Sequence, residues 1–293
     1  MACADPGSGQ PVSGLRTRVV APSSALGDPS RLQRGLELLR SWGLELDGYP
    51  DATRHWGYFA GTDSERLNDF NGSAQLWACA RGGWGAARLL ECGWTPPGGM
   101  LLGFSDVTSL LWSQQASGLP GAIHGPLVTT LASEPAWSQQ RLQQLLAGKP
   151  LEPLQGETWC GGTASGPLLA GNLTVATHLL GTRHCPNLKG AILLLEDVGE
   201  VPYRLDRLLT HWRLSGALQQ LAGLGFGSFS GCEQPEDDAK PGFSLEQVLR
   251  ERSEDLGIPV VAGLPFGHGD QNAALPLGAT AVLDGRSGQL SVA

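Results

Sequence analysis

Three side chains able to combine into a proton relay stand where apolar runs open into loops. They are Ser105 after MLLGF, Glu196 after AILLL and His268 after PFG. A serine hydroxyl is a weak nucleophile until a histidine takes its proton, and a carboxylate that orients the histidine also balances its charge. Open parallel sheets bind ligands at the carboxyl ends of their strands, which is where such a relay would assemble. Arg81 and the RGGWG loop it opens share that placement. Each residue also has a plainer reading. Ser105 lies in GFSDV, where Val107 replaces the second glycine of a GxSxG elbow, and a serine between strand and helix more often caps the helix. RGGWG lacks the GKS/T of a phosphate loop. Its glycines permit close backbone approach and an N–H from Gly82 or Gly83 to an oxyanion, or they simply make a tight turn. His268 in GHGD is flanked by glycines that expose it, whereas His124 in HGP reads equally as a turn residue. Glu196 is either solvated at its strand end or buried and paired. Asp197, Glu200 and Asp206 read as loop and helix-start charges.

Metal chemistry finds no support in the spacing. No HExxH or HxxEH occurs, and Cys3, Cys79, Cys92, Cys160, Cys185 and Cys232 form no CxxC pair. Reduced, mostly buried thiols in a cytoplasmic protein are expected, with no metal and no other cofactor. The chain of 293 residues carries 20 basic and 28 acidic residues, a net charge of −8, which argues against a nucleic-acid binder or a polybasic membrane-surface protein. No stretch supplies the ~20 consecutive apolar residues of a membrane span. The opening MACADPGSGQPVSG has neither a basic start nor an apolar run, so it reads as a short flexible leader rather than a secretory signal.

The elements that must position the three residues alternate. RVVAP (18–22) reads as a strand, and Asp28 caps a helix with Pro29 in its first turn and Leu32, Leu36 and Leu39 on one face. Thr62 and Glu65 form a capping box. LWACA (76–80) and MLLGFS (100–105) read as buried strands, each followed by a helix. Such alternation predicts a parallel sheet covered on both faces. Residues 133–167 hold one polar helix and then Pro, Gly and Gln with little periodicity, which suggests a linker. Beyond it, AILLLED (191–197) is a strand, PYRLDRLLTHW a helix, and TAVLDGRSGQLSVA a hairpin around Asp284-Gly285. The expected architecture is two α/β domains: 18–132 with Ser105, and a smaller C-terminal domain, 168–293, with Glu196 and His268.

Taken together, ARGGWGAARLL, LLGFSDVTSLL, HGPL, AGNLTV, LLLEDVGEVPYRLDRLLTHWRLSGAL, GSFSGCE and VVAGLPFGHGDQNAALPLGA resemble the LD-carboxypeptidase family in the family's order. The likeness runs from about Val19 to near the C-terminus, and the set of blocks is far more specific than any one of them. It implies an active site between an N-terminal and a smaller C-terminal α/β domain. It also implies Ser105 as nucleophile, Glu196 as the acidic member and His268 as general base, with backbone N–H groups of Asp106 and Gly83 as the oxyanion hole. The implied reaction removes the terminal D-alanine of murein tetrapeptides during cytoplasmic recycling of cell-wall peptides. The alternative is a related serine amidase acting on a peptidyl-nucleotide or another peptide, as in the family's microcin C self-immunity branch. Arg81, Trp84 and Arg204 are the candidates for substrate contact, the two arginines for the carboxylate of the leaving D-alanine. Two departures, Trp84 for the usual tyrosine and AGN (Ala170, Gly171, Asn172) for GGN, bear on the pocket rather than on the triad. The oligomeric state is left open, a homodimer included.

Overall fold

A computed structural model describes residues 12–234 and 242–292. The expected leader lies almost wholly outside them, as does Cys3. The first half is β1 (Arg16–Val20), α1 (Pro29–Ser41), β2 (Glu45–Leu46), α2 (Asp63–Asn68), β3 (Leu76–Cys79), α3 (Ala86–Glu91), β4 (Met100–Gly103), α4 (Thr108–Ala116), β5 (Ala122–His124) and α5 (Val128–Leu131). The second half is α6 (Ala136–Leu146), β6 (Leu154–Gln155), β7 (Glu157–Cys160), β8 (Thr163–Asn172), α7 (Leu173–Leu179), β9 (Ile192–Val198), α8 (Pro202–Leu214), β10 (Gly223–Ser230), α9 (Leu245–Ser253), β11 (Val260–Ala262), β12 (Leu275–Pro276), β13 (Thr280–Asp284) and β14 (Gln289–Val292).

Two sheets result. The first has the order β12-β5-β4-β3-β1-β2, with β2, β1, β3, β4 and β5 mutually parallel and β12 antiparallel on the edge. Both its faces are covered, as the apolar strands predict. Trp77, Cys79 and Leu101 enter one apolar cluster, whereas Leu76, Ala78 and Leu102 enter another with Leu32, Leu36 and Leu39 of α1. The period of two along a strand accounts for that sorting. Asp28 caps α1 through the Ser30 N–H, and Thr62 and Glu65 make the capping box of α2.

The second sheet has the order β6-β14-β13-β8-β9-β10-β11-β7, with β8, β9, β10 and β11 parallel at its centre. The hairpin around Asp284-Gly285 is β13 paired with β14. The stretch 133–167 is more ordered than a connection. It contains α6 as expected, but β6 and β7 also form there, pairing with β14 and β11, and β8 begins within it. These strands are short or polar on their exposed side, so periodicity does not announce them. In the other direction, β12 leaves the C-terminal half to pair with β5.

The two sheets share one core. The cluster that takes in Trp77, Leu101 and Trp112 continues through Leu169, Leu193, Trp212 and Phe226 to Leu283. Helix α4 forms the seam. Its Trp112 Nε1–H donates to the Ala170 carbonyl at 2.9 Å, and Thr108 Oγ1 accepts from Asn172 N–H at 3.1 Å. The approach is close enough that a Cβ on Gly171 would lie 2.5 Å from Thr108 Cγ2 and 3.1 Å from Trp112 Nε1. Gly171→Ala is therefore expected to destabilise the fold by about 1–3 kcal/mol, the usual scale of overpacking. Thermal melting checks it, with Gly161→Ala, where the nearest atom is 3.9 Å away, expected to melt like the parent.

Candidate active site

Strand β4 ends at Gly103, Phe104 is extended, and the chain then turns sharply into the 3₁₀ turn Ser105–Val107 that leads into α4. Ser105 has φ +63° and is, among the described residues, the one non-glycine in the left-handed region. Such a conformation costs on the order of 1–3 kcal/mol and persists only where its surroundings enforce it. The GFSDV spacing explains how the turn forms without a second glycine. A Cβ on Gly103 would lie 2.8 Å from Val107 Cγ1 and 3.1 Å from Cys79 Cβ, so Val107 occupies space that Gly103 leaves open. Phe104, not Ser105, holds the cap position of this turn. The Ser105 side chain serves something else.

That partner comes from the other sheet. His268 Nε2 lies 3.1 Å from Ser105 Oγ, and His268 Nδ1 lies 2.6 Å from Glu196 Oε2. With the proton on Nδ1, the ring donates to the carboxylate and leaves Nε2 to accept the serine hydroxyl. Glu196 sits in β9, at the centre of its sheet, and is fully buried. Its Oε2 also accepts the backbone N–H of His268 at 3.2 Å. Gly267, at φ +98°, makes this contact available, since a Cβ there would fall 2.7 Å from Glu196 Cγ and Oε2. Phe104 lies against His268 with ring centroids 4.7 Å apart. The structure thus joins Ser105, His268 and Glu196 in one hydrogen-bonded line.

The Gly-rich loop packs beside them. A Cβ on Gly82 would stand 2.9 Å from Ser105 Cβ and 3.6 Å from the Asp106 backbone nitrogen, so the Gly82–Gly83 peptide borders the serine. Gly83 itself, at φ +100°, turns its α-carbon toward Ser24. The loop is held from below by buried Arg66, whose Nη1 donates to the Gly85 carbonyl at 2.8 Å and also to the Pro22 carbonyl. Arg81 is exposed, donates to the Ala25 carbonyl, and has no acidic partner among the described residues. Trp84 is exposed beside it, its backbone fastened to Ser24. Among the described residues Arg204 shares no hydrogen bond with Ser105, His268 or Glu196. It lies in the first turn of α8, paired with Glu200 at 3.4 Å and with the Tyr203 hydroxyl at 3.3 Å, and lines a cleft of about 300 Å³ with Thr174, His178 and Arg207.

Three buried polar residues differ from the sequence reading or escape it. Asp197 is not a loop charge: it is buried, and its carboxylate accepts from Asn172 Nδ2, from Thr174 N–H and hydroxyl, and from Val198 N–H. Both faces of a central parallel strand are covered, so successive carboxylates on β9 are both buried. Asp106 turns its carboxylate inward to accept the Ala86 N–H at the start of α3 (2.8 Å), and burial pushes it up to about 6. His124 is fully buried at the end of β5, edge-on to Phe104 and Phe266, and among the described residues neither ring nitrogen has a hydrogen-bond partner. Burial first, and the charge of His268 second, push it down to about 3, so it is neutral throughout the physiological range. The HGP motif marked His124, but nothing in sequence told a turn residue from a buried ring.

A serine, a histidine and a carboxylate lie within hydrogen-bond reach where two α/β sheets meet, an arrangement that serine hydrolases use. Comparison with known proteins narrows the class. The N-terminal domain model of the LD-carboxypeptidases matches residues 17–125, and the C-terminal domain model matches residues 165–283. The chain belongs to the LD-carboxypeptidase family. It is 49% identical over 290 residues to a Synechocystis protein named as a carboxypeptidase, covering 95% of this chain and 94% of that one. It is 36% identical over 303 residues to the murein tetrapeptide carboxypeptidase of Pseudomonas aeruginosa, covering 94% and 95%. Among solved structures, the muramoyltetrapeptide carboxypeptidase of Oxalobacter formigenes aligns with a TM-score of 0.84 at 29% identity, covering 94% of this chain and 97% of that one. The microcin C7 self-immunity protein shares the fold, with a TM-score of 0.83 at 20% identity over 96% of both chains. Among the described residues no helix is long and apolar enough to cross a membrane, and no group of three or more His, Cys, Asp or Glu is placed to hold a metal ion.

The raised carboxyl of Asp106 has a measurable consequence. Between its unfolded value of 3.8 and its folded value of about 6, the folded state binds the extra proton. This group's contribution to stability therefore falls as pH rises through that window. Asp106→Asn keeps an oxygen acceptor for Ala86 and removes the titration. Relative to the parent, the variant is expected to gain stability as pH rises from about 4 to about 6, by on the order of 3 kcal/mol. Denaturant unfolding of both proteins across that range checks it, and a constant difference between them would contradict the assignment.

Proposed function

We propose that the protein is a serine LD-carboxypeptidase that removes the terminal D-alanine from murein tetrapeptides, in cytoplasmic recycling of cell-wall peptides. The observation that carries this reading is the hydrogen-bonded line from Ser105 Oγ through His268 to Glu196, in a chain of this family. His268 Nε2 takes the hydroxyl proton as Ser105 Oγ attacks the carbonyl carbon of the bond between the diamino acid and D-alanine. The backbone N–H groups of Asp106 and Gly83 hold the oxyanion, in keeping with the position of the Gly82–Gly83 peptide against Ser105. Protonated His268 then gives its proton to the departing amine, the C–N bond breaks, and an acyl-serine remains. Water, deprotonated by His268, attacks the ester and releases the shortened peptide and the serine. Glu196 keeps the imidazole oriented and offsets its charge in both half-reactions.

The leaving D-alanine carries a carboxylate. Arg81 is the better placed of the two candidate arginines, because it adjoins Gly82 and has no acidic partner among the described residues, whereas Arg204 is paired with Glu200. Trp84 supplies an exposed indole on the same rim, where the substrate's shape would be read. The amidase alternative draws on a likeness of fold alone, so the carboxypeptidase reading stands first.

Mass spectrometry of the products from murein tri-, tetra- and pentapeptides tests the reaction: loss of one D-alanine from the tetrapeptide alone is expected. Ser105→Ala is expected to abolish turnover with melting near that of the parent, since it removes the nucleophilic hydroxyl and keeps the Cβ, leaving the backbone at positive φ as it was. Glu196→Gln is expected to lower kcat by up to ~10⁴, the scale for amidating a triad acid. Glu200→Gln is expected to cost about tenfold or less, because that carboxylate pairs with exposed Arg204 at a helix start. A dead Glu200 variant beside a near-normal Glu196 variant would reassign the acid.

A further inference from the structure

His268 lies on a loop after β11, without the support of a helix or strand of its own. A base that must stay within hydrogen-bond reach of Ser105 needs that loop fixed. The loop is closed at its neck, where Ala273 N–H donates to the Pro265 carbonyl at 2.9 Å. Inside it, Asn272 Oδ1 accepts the Gly267 N–H at 3.1 Å, immediately before His268. Asn272 in turn donates its backbone N–H to Ser138 Oγ at 3.1 Å, and Ser138 belongs to α6, in the stretch that joins the two halves of the chain. Asn272 is 1% exposed and Ser138 fully buried. From the far side, Ser230 Oγ–H donates to the His268 carbonyl at 2.8 Å.

We infer that Asn272, anchored on Ser138, is a positioning residue for the general base. This rests on the reading of His268 given above. The bond to Gly267 N–H matters because Gly267 has no freedom to move toward Glu196. Its φ is +98°, and its α-carbon already packs against the Glu196 side chain. Without the Asn272 acceptor, that buried N–H loses its partner and the loop must turn to find another. His268 moves with it. Among the described residues the buried Asn272 Nδ2 has no hydrogen-bond partner, so the bond the side chain makes is the one through its oxygen. That separates a positioning role from ordinary polar packing, in which both ends of the amide would be used.

Asn272→Leu keeps the volume and removes the acceptor, Asn272→Asp keeps the acceptor, and Ser138→Ala removes the outer anchor while leaving Glu134, which also faces Ser138 and the Asn272 N–H, in place. Each is assayed for kcat and KM on the tetrapeptide, for the rate of Ser105 labelling by a fluorophosphonate, and for melting. The Leu variant is expected to lose about 100-fold in kcat, the scale of a 1 Å misplacement, with labelling slowed in parallel and KM within about threefold. The Asp variant is expected to recover most of that loss, and Ser138→Ala to lose three- to tenfold in kcat at unchanged melting. Parental kcat in a folded Leu variant overturns the inference, as does an Asp variant that melts like the parent yet is no better than Leu. If the Leu variant does not fold, parental kcat in Ser138→Ala overturns it. A parent protein that neither labels nor turns over would instead remove the serine reading itself.

Discussion

The approach of α4 to β8 across Gly171 is the constraint on which the site depends. Ser105 comes from the first sheet, whereas Glu196 and His268 come from the second, so the relay exists only while the sheets are docked. Helix α4 begins three residues after Ser105 and lies against Gly171 with no room for a side chain between them. Two polar bonds register the contact, from Trp112 to Ala170 and from Asn172 to Thr108. Asn172 is then tied through its amide to Asp197, the residue after Glu196. The serine and the carboxylate are thus linked through backbone and buried hydrogen bonds as well as through His268. The continuous apolar core around the seam supplies the driving force, and the polar bonds choose one register within it.

Much of this arrangement was legible in the sequence, and the reason is local. Long apolar runs ending in a functional residue, such as MLLGFS and AILLLE, reveal the strands, but whereas Ser105 follows the end of β4, Glu196 lies within β9, two residues short of its end. Caps at Asp28 and Thr62 are short-range chemistry and formed as read. What escaped is chemistry between distant segments. Strands β6 and β7 are short and lie near the edge of their sheet, so their pairing depends on β14 and β11 rather than on their own pattern. The burial of Asp197 depends on neighbours covering both faces of β9. The part played by Asn272 depends on a serine 134 positions away. Gly171 and Gly267 look like any two of the 42 glycines until the atoms that would meet their Cβ are known.

The site also concentrates features that cost stability. Ser105 holds a strained φ, Glu196 is an ionisable group buried with Oε1 unpartnered, and His124 buries two unpartnered ring nitrogens. A buried orphan polar atom costs about 1–3 kcal/mol, and a buried carboxylate more unless a charge or donor faces it. These costs fall where the proposed reaction develops charge. The imidazolium of His268 forms against Glu196, its counter-charge, and near His124, whose neutrality spares it a second positive charge. A protonated imidazole at position 124 would oppose that proposed imidazolium. Burial deep enough to keep His124 neutral therefore serves the same end as the short Glu196–His268 bond. In the proposed reaction both leave room for positive charge on His268 as Ser105 gives up its proton.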